Sequence, residues 1–339
     1  MTLDLDRRAF VAGLAALCAA PRALADSIGE AGESIPVPQE KDVDVIRDPI
    51  VEMMRKLDEI APFEDMAPLW SHRDVELQGE VEALIGRLGL EANVKKRQLG
   101  LAFVDVTEKT PRVASVNGDV MLYAASLPKI AVLLAAFEKI AQGKMRYTNA
   151  VETSLTRMIR ESNNAAATEM MHRVGKEYIA RVLLNPRYRL YDPKRNGGLW
   201  VGKDYAKSGL WKRDPLHNFS HGATAMQVAR FYYLLHTENL VTPEYSRKMK
   251  KLLSNSAIDH KFIKGLRLVN PRAMTFRKSG TWRNYHADSV LVEGNGRAYI
   301  AVGLAHHDDG GTWLRQLIIG LDEIVYRGSS RWTRHRWYR

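Results

Sequence analysis

Three short motifs occur in a fixed order along the chain, and their side chains could together transfer an acyl group. Each places a hydroxyl beside an amine or a carboxamide: Ser126-Leu127-Pro128-Lys129, Ser162-Asn163-Asn164 and Lys278-Ser279-Gly280-Thr281. A serine hydroxyl becomes a nucleophile when a neighbouring base removes its proton, and a neutral lysine is one such base. Because each motif alone is common, their order and their surroundings carry the information.

The first motif supplies a candidate nucleophile and its base. An almost continuous apolar run from Ile130 to Ile140 predicts a buried helix with Ser126 at its N-terminus. Residues three apart share a helix face, so we expect the Lys129 amine to reach the Ser126 hydroxyl. The helix N-terminus, burial and a nearby Lys278 all disfavour a proton on Lys129. The alternative interpretation is a solvent-facing serine and lysine without a role.

The second motif lies between two helical segments, so it predicts a turn facing a cleft. The Ser162 hydroxyl could relay a proton, and the Asn164 carboxamide could bind a substrate amide. The alternative is an N-cap for the helix predicted over 165–174, because Ser and Asn are favoured at that position.

The third motif has two candidates, Lys207-Ser208-Gly209 and Lys278-Ser279-Gly280. We favour the second, because it follows a strand-like segment whereas the first lies in an irregular stretch. At a strand edge, Gly280 lets a substrate approach the backbone, and the N–H groups of Thr281 and Ser126 could bind an oxyanion.

The elements that must position these motifs follow from hydrophobic periodicity. Amphipathic segments predict helices from Ile50 to Ile60 and from Val75 to Leu88. Beyond them, the pattern predicts a hairpin (99–106 and 112–122), mostly helices over 149–253 with an irregular stretch at 187–219, three strands (273–282, 287–292 and 298–305) and a last helix over 313–326. This order favours one α/β domain with an antiparallel sheet and a helical lobe.

The N-terminus predicts export. Arg7-Arg8, a short apolar stretch and Ala23-Leu24-Ala25 resemble a cleavable twin-arginine signal. We expect residues 1–25 to be the signal, 26–72 a leader with a helical extension, 73–328 the folded domain and 329–339 a basic aromatic tail. The expected location is the periplasm or the extracellular space.

Composition restricts the chemistry and the partners. The single cysteine, Cys18, lies in the predicted signal, so the mature chain lacks thiol nucleophiles, disulfides and cysteine-bound metals. No cofactor or metal is expected. The formal charge of +11 falls to 47 − 37 = +10 after cleavage. Outside the cytoplasm this favours weak contact with anionic wall polymers or a membrane surface, and no nucleic acid; the alternative is general surface charge.

With its motifs in this order, the chain resembles the serine β-lactamase and D,D-peptidase superfamily over about residues 73–328, and most closely the class A β-lactamases. The resemblance implies an α/β (α+β) fold with a five-stranded antiparallel sheet flanked by helices and an all-helical lobe. It also implies roles for the motif residues: Ser126 as the acylated nucleophile, Lys129 as its base, Ser162 as a proton relay, Asn164 as a ligand of a substrate amide, Lys278 and Ser279 as binders of a substrate carboxylate, and Thr281 as the residue that completes the oxyanion hole. Gly280 is expected to bind substrate through its backbone.

The chain departs from the class A pattern in two tolerable motif replacements, in the spacing of its motifs and in one residue that class A turnover needs. Asn163 replaces the usual aspartate, Ser279 the usual threonine, and the short spacing from Ser126 to Ser162 predicts a more open cleft. No glutamate occurs between residues 177 and 238, where class A enzymes carry the residue that activates water for deacylation.

We therefore expect an exported serine hydrolase acting on a β-lactam, a wall peptide or a related amide or ester, with inefficient deacylation. Two alternatives stay open. One is a true β-lactamase with an unusual base, such as Asp204 or Asp214, and the other is a penicillin-binding or wall-associated protein without turnover.

Overall fold

The computed structural model describes Ile50, Glu52 and residues 69–335, with backbone alone from residue 327 onward. The predicted signal, the leader and most of the helix predicted from Ile50 lie outside these residues. Among the described residues, no helix is both long and apolar enough to cross a membrane.

The described α-helices follow the predicted order, with two additional short 3-10 turns at Leu69–His72 and Pro193–Arg195. They are α1 (Val75–Arg87), α2 (Glu91–Lys95), α3 (Lys129–Ala141), α4 (Asn149–Arg160), α5 (Asn164–Val174), α6 (Lys176–Leu184), α7 (Ala225–His236), α8 (Pro243–Leu253), α9 (Phe262–Val269) and α10 (Gly310–His335). The last helix continues to His335, beyond the end at 326 that its apolar pattern predicted.

The strands form one large sheet and two small ones. They are β1 (Leu99–Asp105), β2 (Arg112–Val116), β3 (Leu122–Tyr123), β4 (Tyr191–Asp192), β5 (Gly197–Gly198), β6 (Trp200–Val201), β7 (His221–Ala223), β8 (Met274–Trp282), β9 (Tyr285–Gly294) and β10 (Arg297–His306). The large sheet is antiparallel throughout and has the order β2-β1-β10-β9-β8, so β8 is an edge strand.

The sheet separates two apolar layers because side chains alternate along each strand. On β1, Leu101 and Phe103 pack with α1 and α10, whereas Ala102 and Val104 pack toward the helical lobe. Helix α3 runs through that lobe and is buried on nearly all sides, as its apolar run predicted. The predicted fold class is confirmed.

The predicted hairpins need only small corrections. Strands β1 and β2 pair as expected, but β2 ends at Val116, and the chain then leaves the large sheet to form β3 beside β7. Between β9 and β10, Asn295 and Gly296 both have positive φ, 51° and 71°. A two-residue turn of this kind matches the twist of the strands it joins.

A buried ion pair fastens the edge strand to the sheet. Arg277 on β8 donates to both carboxylate oxygens of Asp288 on β9, at 2.8 and 2.7 Å. Both side chains are almost completely buried. Asp288 also accepts a hydrogen bond from the Phe262 N–H at 3.1 Å, which connects α9 to the same pair.

Candidate active site

Ser126 lies in a tight turn between β3 and α3. Ala125 has a positive φ of 49°, and the Lys129 N–H donates to the Ser126 carbonyl at 3.3 Å, so the turn leads directly into the helix. The Ser126 side chain is partly exposed and lines a cleft of about 730 Å³. Its hydroxyl makes no hydrogen bond within the described part of the chain, and it is therefore open to an incoming substrate.

Lys129 is completely buried beside this serine. Its Nζ donates to the Ser162 carbonyl at 2.6 Å and to Asn164 Oδ1 at 2.8 Å, with a longer contact of 3.4 Å to the Ser162 hydroxyl. Burial lowers the pKa of Lys129 to about 7. At neutral pH, a substantial fraction of this amine is thus unprotonated and able to accept a proton.

The direction of the Lys129 amine differs from the sequence expectation. Among the described residues, no hydrogen bond joins it to the Ser126 hydroxyl, because the turn after α4 offers several acceptors together. A buried ammonium group is satisfied better by several oxygens than by one hydroxyl.

The Ser162 turn serves both purposes that its sequence allowed. Asn163 caps α5 by accepting a hydrogen bond from the Ala166 N–H at 2.9 Å. Ser162, held at a positive φ of 56°, and Asn164 are the residues that contact Lys129. The motif therefore contains a helix cap and two polar groups of the site.

Lys278 approaches the same hydroxyl from the sheet. It is almost fully buried on β8, and its Nζ donates to Ser162 Oγ at 2.9 Å and to the Ser279 carbonyl at 2.8 Å. Burial, followed by the nearby charge of Lys129, lowers its pKa well below the ordinary value. Ser162 thus lies between two buried lysines, whereas Lys207 of the competing motif is exposed at the cleft.

Gly280 is required by a close contact of main chains. A Cβ at this position would lie 2.2 Å from the Ala124 carbonyl oxygen and 2.7 Å from the Ser126 nitrogen. The edge strand therefore packs directly against the turn that carries Ser126, with Thr281 lining the cleft and Ser279 buried beside it.

Lys261 supports this contact and was missed in the sequence. Its buried Nζ donates to the Gly280 carbonyl at 2.6 Å, to Thr281 Oγ1 at 2.7 Å and to the Ala287 carbonyl at 3.0 Å. Burial lowers the pKa of Lys261 to about 8. Lys261 fixes the end of β8, but no motif surrounds it that could have identified it.

Tyr205 in the irregular stretch and His221 on β7 are two further residues of the site that the sequence did not reveal. The centroid of the Tyr205 ring lies 4.5 Å from Lys129 Nζ and 4.3 Å from the centroid of the His221 ring. His221 Nε2 donates to the Lys203 carbonyl at 2.9 Å, so Nε2 carries the proton, and Nδ1 is an acceptor that has no hydrogen-bond partner among the described residues. Burial lowers the pKa of His221 to about 4, so its ring is neutral.

The two aspartates considered as deacylation bases are both engaged elsewhere. Asp204 lines the cleft but pairs with Lys176 at 2.8 Å and His172 at 2.9 Å; despite its burial, these partners hold the pKa of its carboxyl below the usual value. Asp214 is buried and accepts hydrogen bonds from the Tyr191 hydroxyl and the His217 N–H.

Several solved structures share this fold. PBP-A, as a point mutant in an acyl-enzyme complex with penicillin G, is 16% identical, with a TM-score of 0.60 over 77% of this chain and 100% of that one. A class A β-lactamase from Bacteroides cellulosilyticus is 16% identical, with a TM-score of 0.56 over 74% and 97%. A β-lactamase from Sphaerobacter thermophilus is 15% identical, with a TM-score of 0.56 over 72% and 95%.

The likeness to these structures shows that the chain shares the fold of PBP-A and of the class A β-lactamases. A model of the beta-lactamase enzyme family matches residues 77–154 and 149–326, and the chain belongs to that family. No match was found among the curated proteins.

Proposed function

We propose that the protein is a serine acyl hydrolase that forms an ester with Ser126. The observation that carries this proposal is the burial of Lys129, with a pKa of about 7, beside an open serine hydroxyl and against Ser162 and Lys278. Burying a lysine costs free energy that only hydrogen-bond partners offset, and here the partners belong to the Ser162 motif. A buried amine held in this way, with a strongly lowered pKa, is typical of a functional site.

The residues divide the reaction into two proton transfers. Neutral Lys129 accepts the Ser126 proton as the serine oxygen bonds to the substrate carbonyl carbon, and the Ser126 N–H stabilises the resulting oxyanion. When the carbon–nitrogen bond breaks, the proton passes from Lys129 through the Ser162 hydroxyl to the leaving nitrogen. The contacts of 3.4 Å from Lys129 and 2.9 Å from Lys278 to Ser162 Oγ support this relay.

The substrate side of the proposal follows from the chemistry of the cleft. Lys278 and Ser279 lie on the edge strand next to Thr281, which lines the cleft, and a substrate carboxylate would bind there. Asn164 also lines the cleft, where its side chain would bind a substrate amide. A related fold, PBP-A, forms an acyl-enzyme with penicillin G. We infer that the substrate is a β-lactam or a wall peptide ending in a carboxylate.

Deacylation is the slow step in this proposal. Asp204 is the acidic side chain that lines the cleft within the described residues, and its ion pairs make it a weak base at neutral pH. The acyl-enzyme should therefore accumulate. Two alternatives from the sequence remain: rapid turnover through another base, and a binding protein that is acylated once.

Intact mass measured over time after addition of benzylpenicillin tests the proposal. We expect a covalent adduct on the wild type and none on Ser126→Ala. Ser208→Ala is the matched control, because Ser208 is an exposed serine in the competing motif. An adduct of unchanged amount on Ser126→Ala would refute the proposal.

The same time course separates the alternatives. An adduct that persists with one equivalent of opened drug indicates a binding protein, and slow loss with continued hydrolysis indicates the proposed enzyme. Rapid clearance with an excess of opened drug indicates a true β-lactamase.

We also propose that the mature protein acts outside the cytoplasm after twin-arginine export. Replacing Arg7 and Arg8 by lysine together should retain the full-length protein in the cytoplasmic fraction, as detected by immunoblot. Arg22→Lys, near the predicted cleavage site, is the control and should leave export unchanged. Unchanged export of the double variant would contradict this location.

A further inference from the structure

Three cationic side chains line the cleft without an acidic partner. They are Lys203, which is partly exposed, and Lys207 and Arg213, which are exposed. Within the described residues, none of the three lies within 4.0 Å of a carboxylate oxygen. Arg213 donates one N–H to the Asn218 carbonyl at 3.1 Å, and the rest of its guanidinium is available to a ligand.

The single carboxylate among the described residues that line the cleft does not offset these charges. Asp204 is already paired with Lys176 and His172, at 2.8 and 2.9 Å. The mouth of the cleft therefore has a net positive potential, which raises the local concentration of anions and speeds their association. This charge is separate from Lys278, which lies deeper and is almost fully buried.

Aromatic side chains line the same cleft as the three cations. The Tyr123 ring is 5.3 Å from Trp282, 5.5 Å from Tyr285 and 6.4 Å from Phe219, and all four residues line the cleft. Trp282 is 46% exposed, although an aromatic ring this large is usually more buried. An exposed aromatic wall fits a flat apolar group of a ligand.

From this arrangement, we propose that the cleft prefers acyl donors that carry a second anionic group next to an aromatic or apolar side chain. This inference rests on the proposed acylation of Ser126 and specifies its substrate class. The first carboxylate would bind at Lys278 and Ser279, and the second near Lys203, Lys207 and Arg213.

A matched pair of penicillins provides the test. Benzylpenicillin and α-carboxybenzylpenicillin differ by one carboxylate on the same aromatic side chain. We expect the second-order rate constant for acylation to be about tenfold higher for the dianion at low ionic strength, which is on the order of the effect of a few partly screened charge pairs. This ratio should decrease at 0.5 M salt, because salt screens the attraction. The rate is followed by intact mass or by quenched labelling.

Charge-removing variants locate the effect. Replacing Lys203, Lys207 and Arg213 together by glutamine should bring the ratio of the two rate constants close to one. The control triple variant, with Lys95, Lys96 and Lys109 replaced by glutamine, removes the same net charge from exposed positions outside the cleft and should leave the ratio unchanged. Equal melting temperatures by circular dichroism would establish that both variants are folded.

The outcomes separate this inference from the proposed function. If both penicillins acylate Ser126 at equal rates, or if the control lowers the ratio as much as the cleft variant, the inference is wrong while the function stands. If neither penicillin labels the wild type, the proposed acylation is refuted, and the substrate preference is refuted with it.

Discussion

The proposed role of Lys129 leads to a quantitative pH prediction. Burial lowers the pKa of Lys129 to about 7, well below the ordinary value of an exposed lysine. At pH 7 roughly half of this amine is neutral, whereas an exposed lysine would be neutral in about one molecule in three thousand. The fold thus raises the population of the reactive base by about a thousandfold.

The acylation rate should follow this population. We expect the logarithm of the rate to rise with unit slope below pH 7 and to level off above it, because the deprotonated lysine accepts the serine proton. Quenched labelling with a penicillin from pH 5 to pH 9 measures the profile. Lys278 contacts the same Ser162 hydroxyl, and burial also lowers its pKa, so either lysine could give rise to this pH profile. Lys278→Gln distinguishes them: if Lys129 is the base, the unit slope should persist in this variant.

Lys129→Arg provides the decisive variant. A guanidinium stays protonated over this range, so acylation should fall by about 10²-fold to 10⁴-fold and lose its pH dependence. Lys139→Arg, on the same helix, is the matched control and should behave as wild type. A flat wild-type profile, or a Lys129→Arg variant with nearly normal acylation, would refute the reasoning.

Two further predictions concern stability and close packing, both measured by denaturant unfolding. Gly280→Ala should lower the free energy of unfolding by about 1–3 kcal/mol and abolish most acylation, because its Cβ would overlap the Ala124 carbonyl. Gly79→Ala is the control: a Cβ there meets open space in α1, so this variant should raise the free energy of unfolding by about 0.5–1 kcal/mol. Equal effects of the two substitutions would contradict this account. Arg277→Met should lower the free energy of unfolding by about 3–5 kcal/mol, because it leaves Asp288 buried and unpaired. Arg267→Met breaks an exposed ion pair and should lower it by less than about 1 kcal/mol. A similarly small effect of Arg277→Met would show that the buried pair contributes little to stability.

The sequence predicted most of the fold because the strongest periodic segments are also the most buried. The run after Lys129 forms α3, and the three strands near the C-terminus form three of the five strands of the large sheet, including the edge strand β8. The predicted ends of elements were wrong where tertiary contacts decide them. The strand that begins at Arg112 ends at Val116, after which the chain joins a different sheet.

The candidate site was only partly predictable. Its motif residues have recognisable neighbours in the chain, and the structure brings Lys129, Ser162 and Lys278 together. Lys261, Tyr205 and His221 reach the site through long-range contacts, and the segments that carry them have no marked periodicity. A lone lysine or tyrosine in an irregular stretch has no local pattern that could reveal such a contact.

The distances along the chain between the site residues have a practical consequence. Lys129 lies 33 residues from Ser162 along the chain, and Lys278 lies 116 residues from it. Their contacts to the Ser162 hydroxyl therefore join the helical lobe to the edge of the sheet. A molecule in which either part has opened cannot keep both lysines at that hydroxyl. The fraction of molecules labelled by a covalent inhibitor would therefore count native protein, and labelling during refolding would time the docking of the lobe on the sheet.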